Sequence, residues 1–187
     1  MADILVESQT NAHSYWAFYQ AGTAYSKGAG VNHKTTSAYK LSAVEFKLGK
    51  LGSPTGNIKA RVYALDAQSS SGKPTGSPLA ESDAVDVASI TPLYPGSVDF
   101  VKFSFGSPAS LASGTHYGIV LEALGTVGDD PNKIMMAEGG PTTEGSGLTK
   151  NDAGTWATVI AGGEGQPNFK TYYNPDLEGS GNFFEIL

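Results

Sequence analysis

The sequence predicts an all-β fold: a two-sheet antiparallel β-sandwich of jelly-roll type, in a single domain. Three observations carry this. Candidate strands recur at short intervals between clusters of Gly, Pro, Ser and Asn. Several of them alternate apolar and polar residues, the period of a half-buried strand. No stretch of useful length carries a helical period. With this turn density two packed sheets are the leading architecture, and a closed barrel is the runner-up.

The clearest stretch runs from Lys40 to Leu65. Val44, Phe46 and Leu48 share one face of its first strand, with Glu45 and Lys47 on the other. Ile58, Ala60, Val62 and Ala64 alternate in the second strand against Lys59, Arg61 and Tyr63. Between them Pro54 presets φ, and Gly52 and Gly56 permit backbone angles other residues resist. The pair reads as a β-hairpin. The full set of expected strands is Ile4 to Glu7, Ser14 to Tyr19, Leu41 to Leu51, Ile58 to Leu65, Leu79 to Val87, Val98 to Phe105, His116 to Leu124, Lys133 to Ala137, Trp156 to Ile160, Phe169 to Tyr173 and Phe183 to Leu187. A short turn of helix fits Ala84 to Ile90. Ile119 and Val120 put apolar residues on both faces of one strand, as a central covered strand requires. The Gly-rich segment Glu138 to Pro167, interrupted by Trp156 to Ile160, reads as long loops. Such loops are either a seat for binding residues or a tolerated surface insertion.

Composition narrows the function. A chain of 187 residues is long enough to bury a core without staples, and it has no cysteine, which excludes disulfides and thiolate metal sites. The net charge is -6 and Arg61 is the sole arginine, so the basic stripe of a nucleic-acid binder is missing. No stretch approaches the ~20 apolar residues of a membrane helix. The N-terminus MADILVESQT lacks the basic and apolar regions of a secretory signal. Either the chain leaves its cell by another route, such as lysis, or a leader has been removed.

Three runs carry a resemblance: LSAVEFKLGKLGSPTGNIKARVYA, KPTGSPLAESDAVDV and VKFSFGSPASLASGTHYGIVLEA. They resemble a jelly-roll-like β-sandwich domain found in phage and other virion proteins and in bacterial surface or extracellular proteins. The matching motifs are Gly-x-Pro-x-Gly at Gly52 to Gly56, Pro-x-Gly-x-x-Leu-Ala at Pro74 to Ala80, Leu-x-x-Gly-x-x-Tyr-x-Ile-Val at Leu111 to Val120, and Gly-x-Trp at Gly154 to Trp156. The likeness covers residues 37–173 and leaves the flanks 1–36 and 174–187 less typical. It implies a sandwich fold and a place on a virion or outside the cell. It transfers no catalytic signature.

Candidate chemistry is sparse. His13, His33 and His116 lack the spacing of a local metal pair, and His116 is expected to face solvent or a neighbouring loop. The loop GDDPN places Asp129 and Asp130 together, an oxygen-rich arrangement that could hold calcium and is equally ordinary turn chemistry. No other cofactor is implied. No Gly-x-Ser-x-Gly elbow occurs, and no carboxylate pair stands out for glycoside hydrolysis. Gly145 and Gly147 do not form a phosphate-cradling loop. Tyr15, Trp16, Phe18 and Tyr19 cluster in SYWAFYQAG. In a strand, Trp16 and Phe18 share one face, and Tyr15 and Tyr19 the other. The exposed set, drawn from Tyr15, Trp16 and Tyr19, would stack on sugars or sit in an interface, while the other set is core. Phe183, Phe184, Ile186 and Leu187 place apolar bulk at the chain end. They must pair within the sheet or dock on another subunit, as must Ile4, Leu5 and Val6.

The sequence therefore predicts a non-enzymatic structural or binding protein. The leading expectation is a virion surface component, a head decoration or fibre-associated protein, whose partners are copies of itself or other virion proteins. The alternative is a carbohydrate-binding module or adhesin domain of a bacterial surface protein, with glycan partners. A sandwich-fold hydrolase ranks third. Neither nucleic acid nor membrane is an expected partner.

Overall fold

The computed structural model of the chain describes residues 2–10, 14–18, 27–93, 98–125, 128, 130–139, 145–159 and 166–177. Its strands are β1 (Ile4–Gln9), β2 (Ser14–Phe18), β3 (Gly28–Lys34), β4 (Tyr39–Leu51), β5 (Asn57–Leu65), β6 (Pro74–Glu81), β7 (Val85–Asp86), β8 (Asp99–Leu111), β9 (His116–Leu124), β10 (Lys133–Glu138), β11 (Gly145–Lys150), β12 (Trp156–Val159) and β13 (Phe169–Tyr173). They form two antiparallel sheets packed face to face. The front sheet runs β1-β13-β4-β10-β2, with β8 on the other edge of β4; the back sheet runs β12-β11-β3-β9-β5-β6, with β7 also on β5.

Within this pattern lies a jelly roll. Strands β2-β10-β4-β8 form one face and β3-β9-β5-β6 the other, and the chain crosses between them at each step except β5 to β6, which are neighbours in the back sheet. Two additions extend it. The hairpin β11–β12 widens the back sheet beyond β3, and β13 with β1 widens the front sheet along the first half of β4.

The core sits between the sheets. Val44, Phe46, Ile58, Val62, Phe103, Phe105, Ile119 and Leu121 are all buried there, as their alternation predicts. Phe46 and Phe103 meet edge to face with centroids 6.5 Å apart. Smaller apolar clusters coat the outer faces: Tyr63, Val120, Leu148 and Trp156 on the back sheet, and Leu93, Val98, Ala137, Leu51 and Met135 at one end of the front sheet.

Four expectations need correction. The Lys40–Leu65 pair is not a hairpin: β4 lies in the front sheet and β5 in the back sheet, so the turn at Gly52 to Gly56 is an arch between layers. Both glycines have positive φ, 63° and 109°, which the arch uses to rotate the strands face to face. Alternation is the same in a hairpin and an arch, because each strand buries one face either way. Second, the Gly-rich segment after Glu138 is not all loop, since it contains β11. Third, the strand expected at Leu79 to Val87 begins earlier, at Pro74, and is broken after Glu81, with strand resuming at Val85–Asp86. Fourth, β3 is a strand where the sequence predicts none between Tyr19 and Leu41. The helical turn expected near Ala84 to Ile90 is a 3-10 turn at Val87–Ser89, capped by Asp86, whose carboxylate accepts from Ala88 N at 2.9 Å.

Candidate functional site

Three regions of the surface bear on function: the free edge of β1 with the pocket behind it, the outer face of the front sheet, and the roofed outer face of the back sheet.

Strand β1 ends the front sheet. It pairs with β13 through Ile4↔Tyr173, Leu5↔Tyr172, Glu7↔Thr171, Ser8↔Lys170 and Gln9↔Phe169, with a bulge between Leu5 and Glu7. Its other edge pairs with no described strand. Ile4 and Leu5 are 53% and 51% exposed, a large apolar surface for consecutive residues pointing to opposite faces. Three other edges are blunted: β6 contains Pro74 and Pro78, β8 contains Pro108 and Lys102, and β12 is four residues long, whereas β2, at the far end of the front sheet, has neither proline nor lysine.

Behind β1 a cavity of about 300 Å³ opens between the layers, lined by Glu7, Ser8, Gln9, His33, Lys34, Thr36, Gln166 and Phe169. Glu7 organises it. One carboxylate oxygen takes the His33 ring Nε2, and the Tyr39 hydroxyl donates to the same oxygen at 3.3 Å. The other accepts from Thr36 N at 2.7 Å and Thr36 Oγ1 at 2.5 Å. Burial alone would raise the Glu7 carboxyl; the contacts from His33 and Thr36 outweigh it and hold it at about 2. Burial and the adjoining Glu7 charge push the Tyr39 hydroxyl up. His33 also packs edge to face on Phe169, centroids 5.1 Å apart. A carboxylate-oriented histidine is half of a general-base pair. No hydroxyl in the described residues is bonded to the His33 ring, so the arrangement ties β1 of one sheet to β3 of the other. No local pattern signals this pair, whose members lie 26 residues apart.

On the outer face of the front sheet, opposed residues of β8, β4 and β13 form cross-strand rows. One row holds Phe100 and Lys47; the next holds Lys102, Glu45 and Lys170; the third holds Ser104, Ala43 and Tyr172. Lys170 Nζ stands 3.8 Å from the Phe100 ring centre and 3.2 Å from Glu45 Oε2. Lys47 reaches the same ring at 5.9 Å. Lys102 lies 5.5 Å from the Tyr172 ring centre and 2.5 Å from Asp3 Oδ2. Tyr172 donates to Glu45 at 2.8 Å; burial and the Glu45 carboxylate push its hydroxyl up to about 12.

The outer face of the back sheet is closed. Glu122, 3% exposed, accepts from Tyr63 OH and Lys150 Nζ, both at 2.5 Å, with Arg61 3.5 Å away. Burial and the hydrogen bond to Glu122 raise the Tyr63 hydroxyl. Trp156 packs on Tyr63 and under Lys150. The loop between β5 and β6 roofs the far end: Asn32 Nδ2 donates to the carbonyls of Ser69 and Gly72 at 2.8 and 3.0 Å, and its Oδ1 meets His116 Nδ1 at 2.8 Å. His116 is therefore buried under a neighbouring loop and does not face solvent.

The remaining candidates are scattered. Tyr15 is 45% exposed on β2. Trp16 follows it in that strand, and Tyr19 lies outside the described residues. Asp130 is exposed and ion-paired with Lys133 at 2.7 Å, while Asp129 lies outside the described residues. Among the described residues no group of three or more His, Asp or Glu could hold a metal. Phe183, Phe184, Ile186 and Leu187 all lie outside the described residues. No known protein family matches the chain, and no curated protein matches it either.

Proposed function

We propose that this chain is a non-enzymatic assembly protein, a structural component of a virion surface that docks on a neighbouring copy through the edge of β1. One observation carries the reading. β1 is a six-residue edge strand without proline or lysine, and it holds Ile4 and Leu5 half-exposed. Natural sheets protect such edges, and an unprotected one is a template for a strand of another chain. The β6, β8 and β12 edges carry that protection, and the β2 edge, which lacks it, holds no pair of large aliphatic residues like Ile4 and Leu5. The virion setting comes from the family resemblance of residues 37–173. The Glu7–His33 tie supports the reading, because it fixes β1 to the back sheet and presents its edge as a rigid element.

Multi-angle light scattering tests this. The wild-type chain is expected to run as a multimer. An Ile4→Lys/Leu5→Lys variant is expected to run as a monomer with an unchanged far-ultraviolet dichroism spectrum. A wild-type chain that stays monomeric across the accessible concentration range overturns the proposal. So does a variant that remains multimeric.

A further inference from the structure

We propose that the outer face of the front sheet binds an acidic polysaccharide. The rows on this face alternate ring and ammonium: Phe100 between Lys47 and Lys170, and Tyr172 under Lys102. Lys40 lies further along, placed on this face by alternation with inward-packed Tyr39 and Leu41. The described part of the face thus holds Lys40, Lys47, Lys102 and Lys170 against Asp3 and Glu45. It is a local excess of positive charge on a chain whose net charge is -6.

The chemistry fits a chain of acidic sugars. The aliphatic face of a pyranose packs on an aromatic ring, and ring-bound hydroxyls take hydrogen bonds from ammonium groups and give them to carboxylates. Ammonium groups already seated on the rings are placed to meet carboxylates carried beside the stacked sugar. Lys102 and Lys170 flank Glu45 across two strand spacings, about 10 Å, so the face recognises charge repeated along a polymer. Their side chains are 43% and 25% exposed, so the ammonium groups are within reach of a ligand. Nucleic acid fits less well. The face has no arginine fork to grip phosphate. The back sheet makes the contrast: its carboxylate and cations are locked around Glu122.

Affinity electrophoresis and titration calorimetry with polygalacturonate, dextran and a single-stranded oligonucleotide decide the matter. Polygalacturonate is expected to bind, more weakly as salt rises. Lys47→Ala and Lys102→Ala are each expected to weaken it by roughly tenfold, and Phe100→Ala by at least as much. Lys59→Ala, on the other sheet, is expected to change nothing. Phe100 is half-buried, so the lysine variants keep the test valid if Phe100→Ala fails to fold. Absence of polygalacturonate binding overturns the proposal. So does binding that both lysine variants leave intact, or binding of dextran or the oligonucleotide at equal strength.

Discussion

The two outer faces of the sandwich use the same side chains to opposite ends. Each presents lysines, a glutamate and two aromatic rings. On the back sheet Glu122 is buried, and its partners Tyr63, Lys150 and Arg61 converge on it. On the front sheet Glu45 is part-exposed, and its partners Lys170 and Tyr172 stay within reach of solvent. Composition does not separate the two faces; cover does. Where side chains of neighbouring strands close over a carboxylate, as around Glu122, polar groups become structural, because burial makes any lost partner costly. Where the face is open, the same pairs contribute little to stability and remain available.

Substitutions break or sharpen this contrast. The largest expected effect is on the closed side. Gly30 sits on β3 where an added Cβ would fall 2.3 Å from Ile119 O and 2.4 Å from Val120 Cα. Backbone cannot yield as a side-chain tip can, so Gly30→Ala should cost more than the ~1–3 kcal/mol of ordinary overpacking and should not accumulate as folded protein. Gly106→Ala in β8, where no atom lies within 4 Å, should leave the melting temperature unchanged within error.

Second come the two glutamates. Glu122→Ala strands Lys150 and Tyr63 beside a buried gap and should lower unfolding free energy by about 3 kcal/mol. Glu45→Ala removes a part-exposed pair and should cost less than about 1 kcal/mol. Denaturant titration of both variants measures the difference, and equal losses would erase the distinction between the faces.

The third effect, smaller than that of Glu122, is at the seam. Glu7 ties the two sheets together and its folded carboxyl is held at about 2, below the ordinary 4.5. A carboxyl lowered on folding stabilises the protein above its unfolded value, and that contribution fades as pH falls from 4.5 toward 2. Wild type should therefore exceed Glu7→Gln by about 2 kcal/mol at pH 7, and the gap should close by pH 2. A gap independent of pH would assign the loss to packing instead of charge.

How much of this was legible follows from which signals are local. The buried faces of β4, β5, β8 and β9 were readable because each strand writes its own alternation. The arch at Gly52 to Gly56 was not, since alternation does not say whether the next strand lies beside or opposite. Strands β3 and β11 were hidden by glycine. Gly28 and Gly30 take the outward positions, where Trp156, Lys150, Ile119 and Val120 leave no room for a Cβ, so the outward half of the pattern is blank. Ala29 and Val31 kept the inward half, a period of two that a Gly-rich reading passes over. The Glu7 cluster and the ring–ammonium rows join residues remote in sequence, and no single segment carries a trace of either.

The arch also governs how such a chain reaches its fold. Among the described strands, just two ladders, β5–β6 and β11–β12, join strands adjacent in sequence. The central strand β4 meets β8 through Val44↔Phe103 and β13 through Val44↔Thr171. Its turn to β5 brings two strands together without a single backbone hydrogen bond between them. Long loops must close, at an entropic cost that grows with their length, before the central ladders form. Refolding then belongs in the millisecond-to-second range of non-local β topologies. A nascent chain holds β4 without a partner until the residues of β8 have been made, and without its full set until those of β13.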